Sequence, residues 1–409
     1  MADRGAFWNL WLATSVSQLG TQVSELAIPF IAITTLHAAP FEIGVLNAVQ
    51  FLPILLLSLV VGVWVDRLRR RPVLIASDLA RAFILFSIPA AAIWHVLLMP
   101  QLYVVAFLVG SFTVLFDIAY QSYLPAVVDR DQFITANSRL QISEQSASVI
   151  GPALGGSLIS LLTAPTAVIV DAVSYLASAG LLFNIHREEP APVRAEAEVG
   201  VRREIADGLR FVWRQPILRA MVMTAGLTQL FGRMVFAVLL LYLVSEVGLG
   251  AAGVGVIFSL GSVGFVVGAL IAGRVSAALG VGRTIVVAAV LASSSPLLYA
   301  LGPRAFVGPL VATGFFLYGV AAVVWTVNNL SVRQAITPPA LLGRTNASMR
   351  LLGWGAIPIG SLIGGLLGGA IGLRQTILLA ALGSLVASLP VWFSPLPRLR
   401  ELPEPAPVG

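Results

Sequence analysis

The sequence predicts an all-α membrane protein with twelve transmembrane helices arranged in two pseudo-symmetric six-helix bundles. Composition, apolar segments and an internal repeat support this fold class. Of the 409 residues, 58% are hydrophobic and only 11% are charged, whereas a soluble domain has about 25% charged residues. A soluble fold needs a polar surface, which this composition does not supply. A bilayer removes that need if each segment satisfies its own backbone hydrogen bonds.

Twelve apolar segments follow one another along the chain. They lie near 7–35, 41–65, 72–98, 101–128, 137–163, 165–186, 218–246, 251–275, 283–302, 305–332, 343–371 and 374–394. Each is close to or above the roughly 20 residues that cross the hydrocarbon core as a helix. The fifth and sixth segments are almost continuous, as are the eleventh and twelfth, so the helix count depends most on these pairs.

The arginines predict the orientation in the membrane. They concentrate in alternate connections between the segments, and the opposite connections hold only Arg304 and Arg374. The positive-inside rule therefore places both termini in the cytoplasm, in a bacterial inner membrane. The predicted organisation is a bundle at 1–186, a cytoplasmic linker at 187–217, a bundle at 218–396 and a cytoplasmic tail at 397–409.

The linker contains apolar residues at helical spacing, among them Val201, Ile205, Leu209 and Val212. This pattern predicts an amphipathic helix on the cytoplasmic lipid headgroups. Packing of the same helix on the protein's own loops is the alternative.

The two halves of the chain repeat one another. A shift of 209 residues aligns Asn137 with Asn346, Gly151 with Gly360, Gly155 with Gly364 and Gly156 with Gly365. The matched glycines lie in the fifth segment of each half. This match indicates two related bundles about a pseudo-two-fold axis, as in many secondary transporters.

Several classes of function are excluded. The chain has no Cys, and its three His have no metal-ligand spacing. It also lacks Lys and any phosphate-binding Gly-rich loop, so it is not expected to hydrolyse ATP. No basic stripe is interleaved with exposed aromatics, which argues against nucleic-acid binding. We expect no catalytic residue, no metal and no cofactor, and hence no enzyme.

The connection between the second and third segments runs from Gly62 to Arg71 and resembles a signature of the Major Facilitator Superfamily. The residues that carry the likeness are Gly62, Asp66, Arg67, Arg70 and Arg71. The glycine lets two helices approach, the aspartate suits a helix N-terminus, and the arginines can bind a carboxylate or lipid phosphate. The family's second glycine is replaced by arginine here. Ordinary positive-inside charge is the alternative.

The fifth segment resembles the core of a motif found in antiporters of this superfamily. The residues are Gly151, Pro152, Gly155 and Gly156, and such residues allow close helix packing and a bend. The motif's upstream glycines are replaced, so a general packing patch is the alternative.

Four further stretches look like one branch of the superfamily, the enterobactin-type siderophore exporters and macrolide-efflux proteins. They are 78–81, 123–126, 136–138 and 171–175. The resemblance implies the transporter fold, alternating access and export.

Charges within the segments are the candidate machinery, because a charge in the bilayer core needs a partner or a wet cavity. We expect Arg81 to form a network with Asp78, Asp117 or Glu144, either as an inter-helix clamp at the cytoplasmic gate or as a proton-linked switch. Glu25, with no Arg nearby in sequence, could carry a proton. The proton-coupling candidates are Glu25, Asp117 and Glu144.

Polar residues along the segments are candidates for contact with substrate. They are Gln22, Gln121, Gln229, Arg233, Trp325 and Asn328. Arg233 could pair with Glu25 or attract an anionic substrate. Each of these residues could instead serve helix–helix packing.

The leading hypothesis is a monomeric, proton-driven exporter of small amphipathic molecules that works by alternating access. Lipid or lysolipid flipping by the same fold is one alternative. A non-transporting membrane receptor or enzyme is the other.

Overall fold

The computed structural model describes residues 4–65, 67–128, 132–186, 189, 201–303, 306–338 and 341–401. Within its helices, the side chains at 58–60, 62–63, 134, 201–207, 342–343, 347 and 350 are not part of the description. Asp66 of the cytoplasmic signature therefore lies outside the described residues.

The first half of the chain forms six long helices. They are α1 (Arg4–Thr34), α2 (Pro40–Val65), α3 (Arg70–Ile93), α4 (Met99–Val127), α5 (Phe133–Leu161) and α6 (Ala164–Phe183). Each covers one predicted apolar segment. Prolines lie inside α1, α2, α3, α4 and α5, which lipid-embedded helices tolerate because neighbouring groups satisfy the freed carbonyls.

The second half begins with a polar helix and continues with apolar helices, several of them in two pieces. They are α7 (Val201–Arg214), α8 (Pro216–Leu241), α9 (Ala251–Leu279), α10 (Val281–Ser294), α11 (Leu297–Leu301), α12 (Val307–Ile336), α13 (Leu342–Trp354), α14 (Ala356–Ile371), α15 (Leu373–Ala387) and α16 (Leu389–Trp392). A π-helical turn at Tyr242–Glu246 extends α8.

In the described part of the chain, ten stretches of helix are long and apolar enough to cross a membrane. The helices α1 and α5 are not among the ten, although both have the length of a span. Both carry polar residues along much of their length, including Gln18, Gln22 and Glu25 on α1 and Gln141 and Glu144 on α5. The count of twelve spans therefore stays a prediction.

The chain divides into two compact units. Unit 1 comprises Met1–Glu196 and Gly248–Ser259, and unit 2 comprises Ala197–Val247 and Leu260–Gly409. The first residues of α9 thus pack with the N-terminal helices, a division that differs from the contiguous boundaries predicted from the sequence.

Unit 1 is built on glycine contacts between α1 and α5. A Cβ atom on Gly151 would lie 2.3 Å from the Cβ of Gln22, and one on Gly155 would lie 3.2 Å from the Cα of Val23. The first distance leaves no room for a side chain unless Gln22 moves, and the second is tighter than an ordinary contact, so these glycines allow the two helices to pack closely. The helix α6 packs on α1 and α3, and α2 packs on α4.

Unit 2 repeats this seam with the glycines aligned by the 209-residue shift. A Cβ on Gly360 would lie 2.2 Å from the carbonyl oxygen of Leu230, and one on Gly364 would lie 2.5 Å from that of Met234. The fifth segment of each half therefore packs on the first segment of its own half through equivalent glycines.

The helix α7 packs on protein at its C-terminal end. Val212 is fully buried in a cluster with Leu218 and Val332, and a Cβ on Gly208 would lie 2.5 Å from the carbonyl oxygen of Arg344 on α13. The expectation that the whole apolar face lies on lipid headgroups is wrong for Val212, because α13 and α8 cover it. The neighbouring Trp213 is exposed, so this side chain is not covered by protein.

Candidate functional site

A buried ion pair lies in the interior of unit 1. Arg81 and Asp78, one turn apart on α3, form a salt bridge, and their side chains are 5% and 0% exposed. The other oxygen of Asp78 accepts a hydrogen bond of 2.6 Å from the Ser178 hydroxyl on α6. Asp78, one of the three carboxylates predicted as partners of Arg81, is within bonding distance of it.

Aromatic rings flank the guanidinium of Arg81. Its central carbon lies 4.1 Å from the ring centre of Tyr175 on α6 and 4.5 Å from that of Phe116 on α4. The Tyr175 hydroxyl is 2.8 Å from the Thr21 hydroxyl on α1. The ion pair therefore connects α3, α4 and α6, with α1 joined through Tyr175. Charge, hydrogen bonds and cation–π contacts act on the same arginine.

The other carboxylates of unit 1 occupy different surroundings. Asp117 and Glu144 are exposed, and Asp117 is close enough to Arg81 to interact with it electrostatically. Glu144 accepts a hydrogen bond of 3.1 Å from Gln141 on its own helix. Among the described residues, the ion pair of Arg81 is with Asp78 and not with Glu144.

Sequence position suggests a structural role for Asp171, since the sixth helix of this fold is usually peripheral, but the side chain is deeply buried. It is 1% exposed on α6 and accepts a hydrogen bond of 3.3 Å from the Ser174 hydroxyl. A Cβ on Gly20 of α1 would lie 2.7 Å from its carboxylate oxygen. Asp171 thus faces the α1–α6 contact, and not a peripheral surface.

The α1 candidates Gln22 and Glu25 interact with each other. The Gln22 amide donates a 3.2 Å hydrogen bond to the Glu25 carboxylate, which is exposed from the unit. Gln121 on α4 is also exposed. Glu25 on α1 and Gln121 on α4 are therefore not covered by other parts of the protein.

The cytoplasmic signature joins α3 to the end of α6. The backbone N–H groups of Arg70 and Arg71 both donate 2.6 Å hydrogen bonds to the carboxylate of Glu189, where the helix dipole favours an anion. The Arg71 guanidinium donates to the carbonyls of Leu182 and Phe183, the last residues of α6. Arg71 thus binds backbone carbonyls, and not the carboxylate or phosphate expected from the sequence. Arg67 is exposed.

The antiporter-like motif on α5 has a second contact, with the first turns of α9. A Cβ on Gly156 would lie 2.3 Å from the carbonyl oxygen of Ala251, and one on Gly255 would lie 2.2 Å from that of Pro152. The Ala153 N–H also donates a 2.9 Å hydrogen bond to the Ser259 hydroxyl. The motif therefore brings α5 against the first turns of α9, within unit 1.

Unit 2 contains a cavity of about 730 Å³ between α8, α10, α12 and α13, a volume typical of small-molecule sites. Three aromatic residues line it, Tyr318, Trp325 and Trp354. Polar residues line it as well. The polar lining residues are Thr224, Thr228, Gln229, Thr326, Asn329, Arg333 and Asn346.

The candidates in unit 2 separate into two groups. Gln229 and Trp325 line the cavity. Asn328 instead accepts a 2.7 Å hydrogen bond from Ser276 on α9, and both residues line a second pocket. Arg233 lies on α8 at the seam with α14, where a Cβ on Gly360 would be 3.1 Å from the Arg233 Cβ, and it is not among the cavity-lining residues.

Sequence analysis missed Arg333, Asn329 and Asn346. Arg333 is one of the arginines whose distribution predicts the orientation in the membrane. The structure places it in the last turn of α12, where it lines the cavity. The signal that could have found Asn329 and Arg333 is their spacing of four and eight residues from Trp325, which places all three on one helix face. No group of three His, Asp or Glu residues that could bind a metal occurs in the described part of the chain.

Comparisons with known proteins match nearly the whole chain. The sequence profile of the family described as "Transmembrane secretion effector" matches residues 3–406. The multidrug efflux pump Tap of Mycolicibacterium fortuitum is 28% identical over 98% of this chain and 97% of its own length. Tap of Mycobacterium tuberculosis is 27% identical over 98% of this chain and 96% of its own.

Solved transporters share the fold. A bacterial homologue of the iron transporter ferroportin, in an inward-facing state, has a TM-score of 0.78 at 17% identity, covering 96% of this chain and 99% of its own. A point mutant of the nucleoside transporter NupG has a TM-score of 0.77 at 13% identity, with coverages of 95% and 99%. Likeness at these identities shows the fold and does not carry a substrate.

Proposed function

This chain belongs to the transmembrane secretion effector family of the Major Facilitator Superfamily, and from that membership we propose that it is a proton-coupled exporter of small amphipathic molecules. As a member it is a multi-pass membrane transporter and not an enzyme. The observation that carries the proposal of export is the similarity to Tap, a multidrug efflux pump, over 98% of this chain.

The cavity of unit 2 supports a substrate with an apolar body. Aromatic and polar residues meet on its wall, and ligand sites combine apolar walls with a few polar groups that orient the ligand. Trp325 and Gln229 are the proposed contacts to the apolar and polar parts of the substrate.

Proton coupling is proposed for the exposed carboxylates of unit 1. Asp78 is held in its ion pair with Arg81, so we assign it a structural role. Glu25 and Asp117 are exposed from the unit, so a change of protonation there does not require the ion pair to break. We take Glu25, which accepts a hydrogen bond from Gln22 on α1, as the first candidate.

The proposed setting is a bacterial cytoplasmic membrane. We propose that α1 and α5 join the ten apolar spans to make twelve, with both termini in the cytoplasm. The protein is proposed to act as a monomer by alternating access, with no cofactor other than the proton gradient.

Inside-out membrane vesicles test the exporter proposal. A fluorescent amphipathic dye should accumulate in vesicles that contain the protein when respiration acidifies their interior, and an uncoupler should abolish the accumulation. Vesicles without the protein provide the baseline. Accumulation that survives the uncoupler would exclude proton drive. Movement of short-chain lipid between leaflets without dye accumulation would favour the flippase alternative.

The variant Glu25→Gln tests the coupling residue, with Glu42→Gln as its matched control. Glu42 accepts a 2.7 Å hydrogen bond from the Ala39 N–H at the start of α2, so its replacement changes one charge at a helix end. We expect Glu25→Gln to stop uphill transport while downhill dye exchange continues, and Glu42→Gln to retain both. Uphill transport by Glu25→Gln at the wild-type rate would reject Glu25.

A further inference from the structure

Three buried polar groups around the cavity of unit 2 have no protein partner in the described part of the chain. Arg333 Nε, Thr224 Oγ1 and Asn346 Oδ1 are buried and have no hydrogen-bond partner among the described residues. All three residues line the same cavity. Buried polar groups are nearly always paired in folded proteins, so the three unpaired groups around this cavity are available to a polar group of a ligand.

Arg333 supplies a positive charge to the cavity lining. Its guanidinium contacts the Met349 sulfur at 3.9 Å, a neutral and weak acceptor. No Asp or Glu is among the described residues that line the cavity. A partly buried arginine without a carboxylate leaves its charge uncompensated, which is costly unless an anion pairs with it.

The orientation of Arg333 distinguishes it from an ordinary cytoplasmic arginine. An arginine that only obeys the positive-inside rule extends its head into water or headgroups. Arg274 behaves in this way, since it is exposed and its guanidinium donates to the Leu270 carbonyl of its own helix. Arg333 instead has a buried Nε and reaches from α12 toward α13.

The wall beside Arg333 suits an apolar body. Trp325 lies eight residues before Arg333 on the same face of α12, about 12 Å along the helix axis, and Tyr318 lies a further two turns away. A ligand of drug size can therefore place an anionic group at Arg333 and a flat ring along Trp325.

We propose that this cavity binds amphipathic organic anions, with the carboxylate or phosphate of the ligand on Arg333 and its apolar body along Trp325. The inference rests on the proposed export function for its physiological meaning, but the binding site itself does not require export. It assigns a substrate class: molecules with one negative group beside an aromatic or aliphatic body.

Matched ligands test the proposal on the purified full-length protein. The probes are naphthalene-2-carboxylate, its neutral amide and naphthalen-2-ylmethylammonium, which share one ring system and differ in charge. In the wild type we expect the carboxylate to bind roughly tenfold or more tightly than the amide, as expected for a charged hydrogen bond. The ammonium ion should bind most weakly.

Variants assign the preference to one residue. Arg333→Gln should remove the advantage of the carboxylate while amide binding changes by less than about twofold, and Arg274→Gln should retain the advantage. Arg333→Lys keeps the charge and should retain part of it, which keeps the proposal testable if Arg333→Gln does not fold. A carboxylate advantage that persists in Arg333→Gln, or that is lost in Arg233→Gln alone, would overturn the assignment.

Two further arms separate the possible sources and the possible failures. Titration in nanodiscs with and without phosphatidylglycerol identifies a lipid headgroup as the anion if that lipid competes with the probe, and a free organic acid if it does not. Uphill transport of dyes in vesicles, with no preference for the carboxylate in binding, would reject this inference and leave export intact. Arg333-dependent binding without any transport would reject export and leave the site intact.

Discussion

The ion pair of Arg81 and Asp78 allows a quantitative test of what holds unit 1 together. The perturbation is a double-mutant cycle of Asp78→Asn, Arg81→Met and the double variant. Asp78→Asn keeps the shape of the side chain and leaves the guanidinium buried without its counter-charge. Arg81→Met leaves a buried carboxylate that retains the hydrogen bond from Ser178.

The magnitudes follow from the contacts. Removing one partner of a buried ion pair costs about 3–5 kcal/mol. Arg81→Met should lie at the upper end, because it also removes cation–π contacts to Tyr175 and Phe116 of about 0.5–2 kcal/mol each. The double variant buries no unpaired charge, so it should cost less than the sum of the two single variants. We expect a coupling of at least about 2 kcal/mol.

The free energy of unfolding is measured by titrating detergent-solubilised protein with sodium dodecyl sulfate and following helix content. Arg274→Met is the control, because Arg274 is exposed on α9, and it should change the free energy by less than about 0.5 kcal/mol. Additive costs, with a coupling below about 0.5 kcal/mol, would show that the pair is not a clamp and would refute the reasoning.

Three further changes have predictable effects on stability, each measurable in the same titration. Thr163 has φ 142°, and Gly372, the residue 209 positions later in the repeat, has φ 93°. Thr163→Gly should therefore relieve backbone strain and stabilise the protein by about 1 kcal/mol, and a loss of stability would contradict this. Gly255→Val should cost about 1–3 kcal/mol because its Cβ would collide with α5, whereas Gly253→Ala, whose Cβ has an ordinary 3.7 Å contact, should be tolerated; equal effects would exclude the close approach. Glu189→Gln should cost about 0.5–1 kcal/mol by weakening the N-terminal cap of α3, and no change at low salt would show that the cap does not contribute.

The helices could be predicted from sequence because lipid leaves few alternatives. A segment in the bilayer must satisfy its backbone hydrogen bonds internally, so a long apolar run indicates a helix with little ambiguity. The glycines at 151 and 360 could also be paired by the repeat, and the structure places both on the same kind of seam. A repeat is informative because each half is an independent copy of the same packing problem.

The faces of those helices could not be predicted from the sequence alone. Asn328 and Asn329 are neighbours, yet one bonds to Ser276 on α9 and the other lines the cavity. Successive residues are separated by about 100° around a helix, so the choice depends on which neighbour each face meets. Arg333 was hidden for the same reason, since a charge count does not reveal where a guanidinium points.

Contacts between residues far apart in the sequence could not be predicted either. Glu189 caps α3 from 118 and 119 residues away, and nothing in its local sequence indicates that partner. The burial of Val212 depends likewise on Leu218 and Val332. Helical spacing predicts that Val212 belongs to an apolar face, but it cannot distinguish lipid from protein as the covering surface.

The glycine seams between α1 and α5, and between α8 and α14, have a consequence for motion. Where a glycine lies on the neighbouring backbone, as Gly155, Gly360 and Gly364 do, no interlocking side chains have to leave one groove and enter another, and few rotamers have to change. Such a surface offers low friction to a small slide along the helix axis, which is the shear type of conformational change. Each unit therefore contains a helix contact that can slide, because glycine leaves out the side-chain atoms that would otherwise interlock.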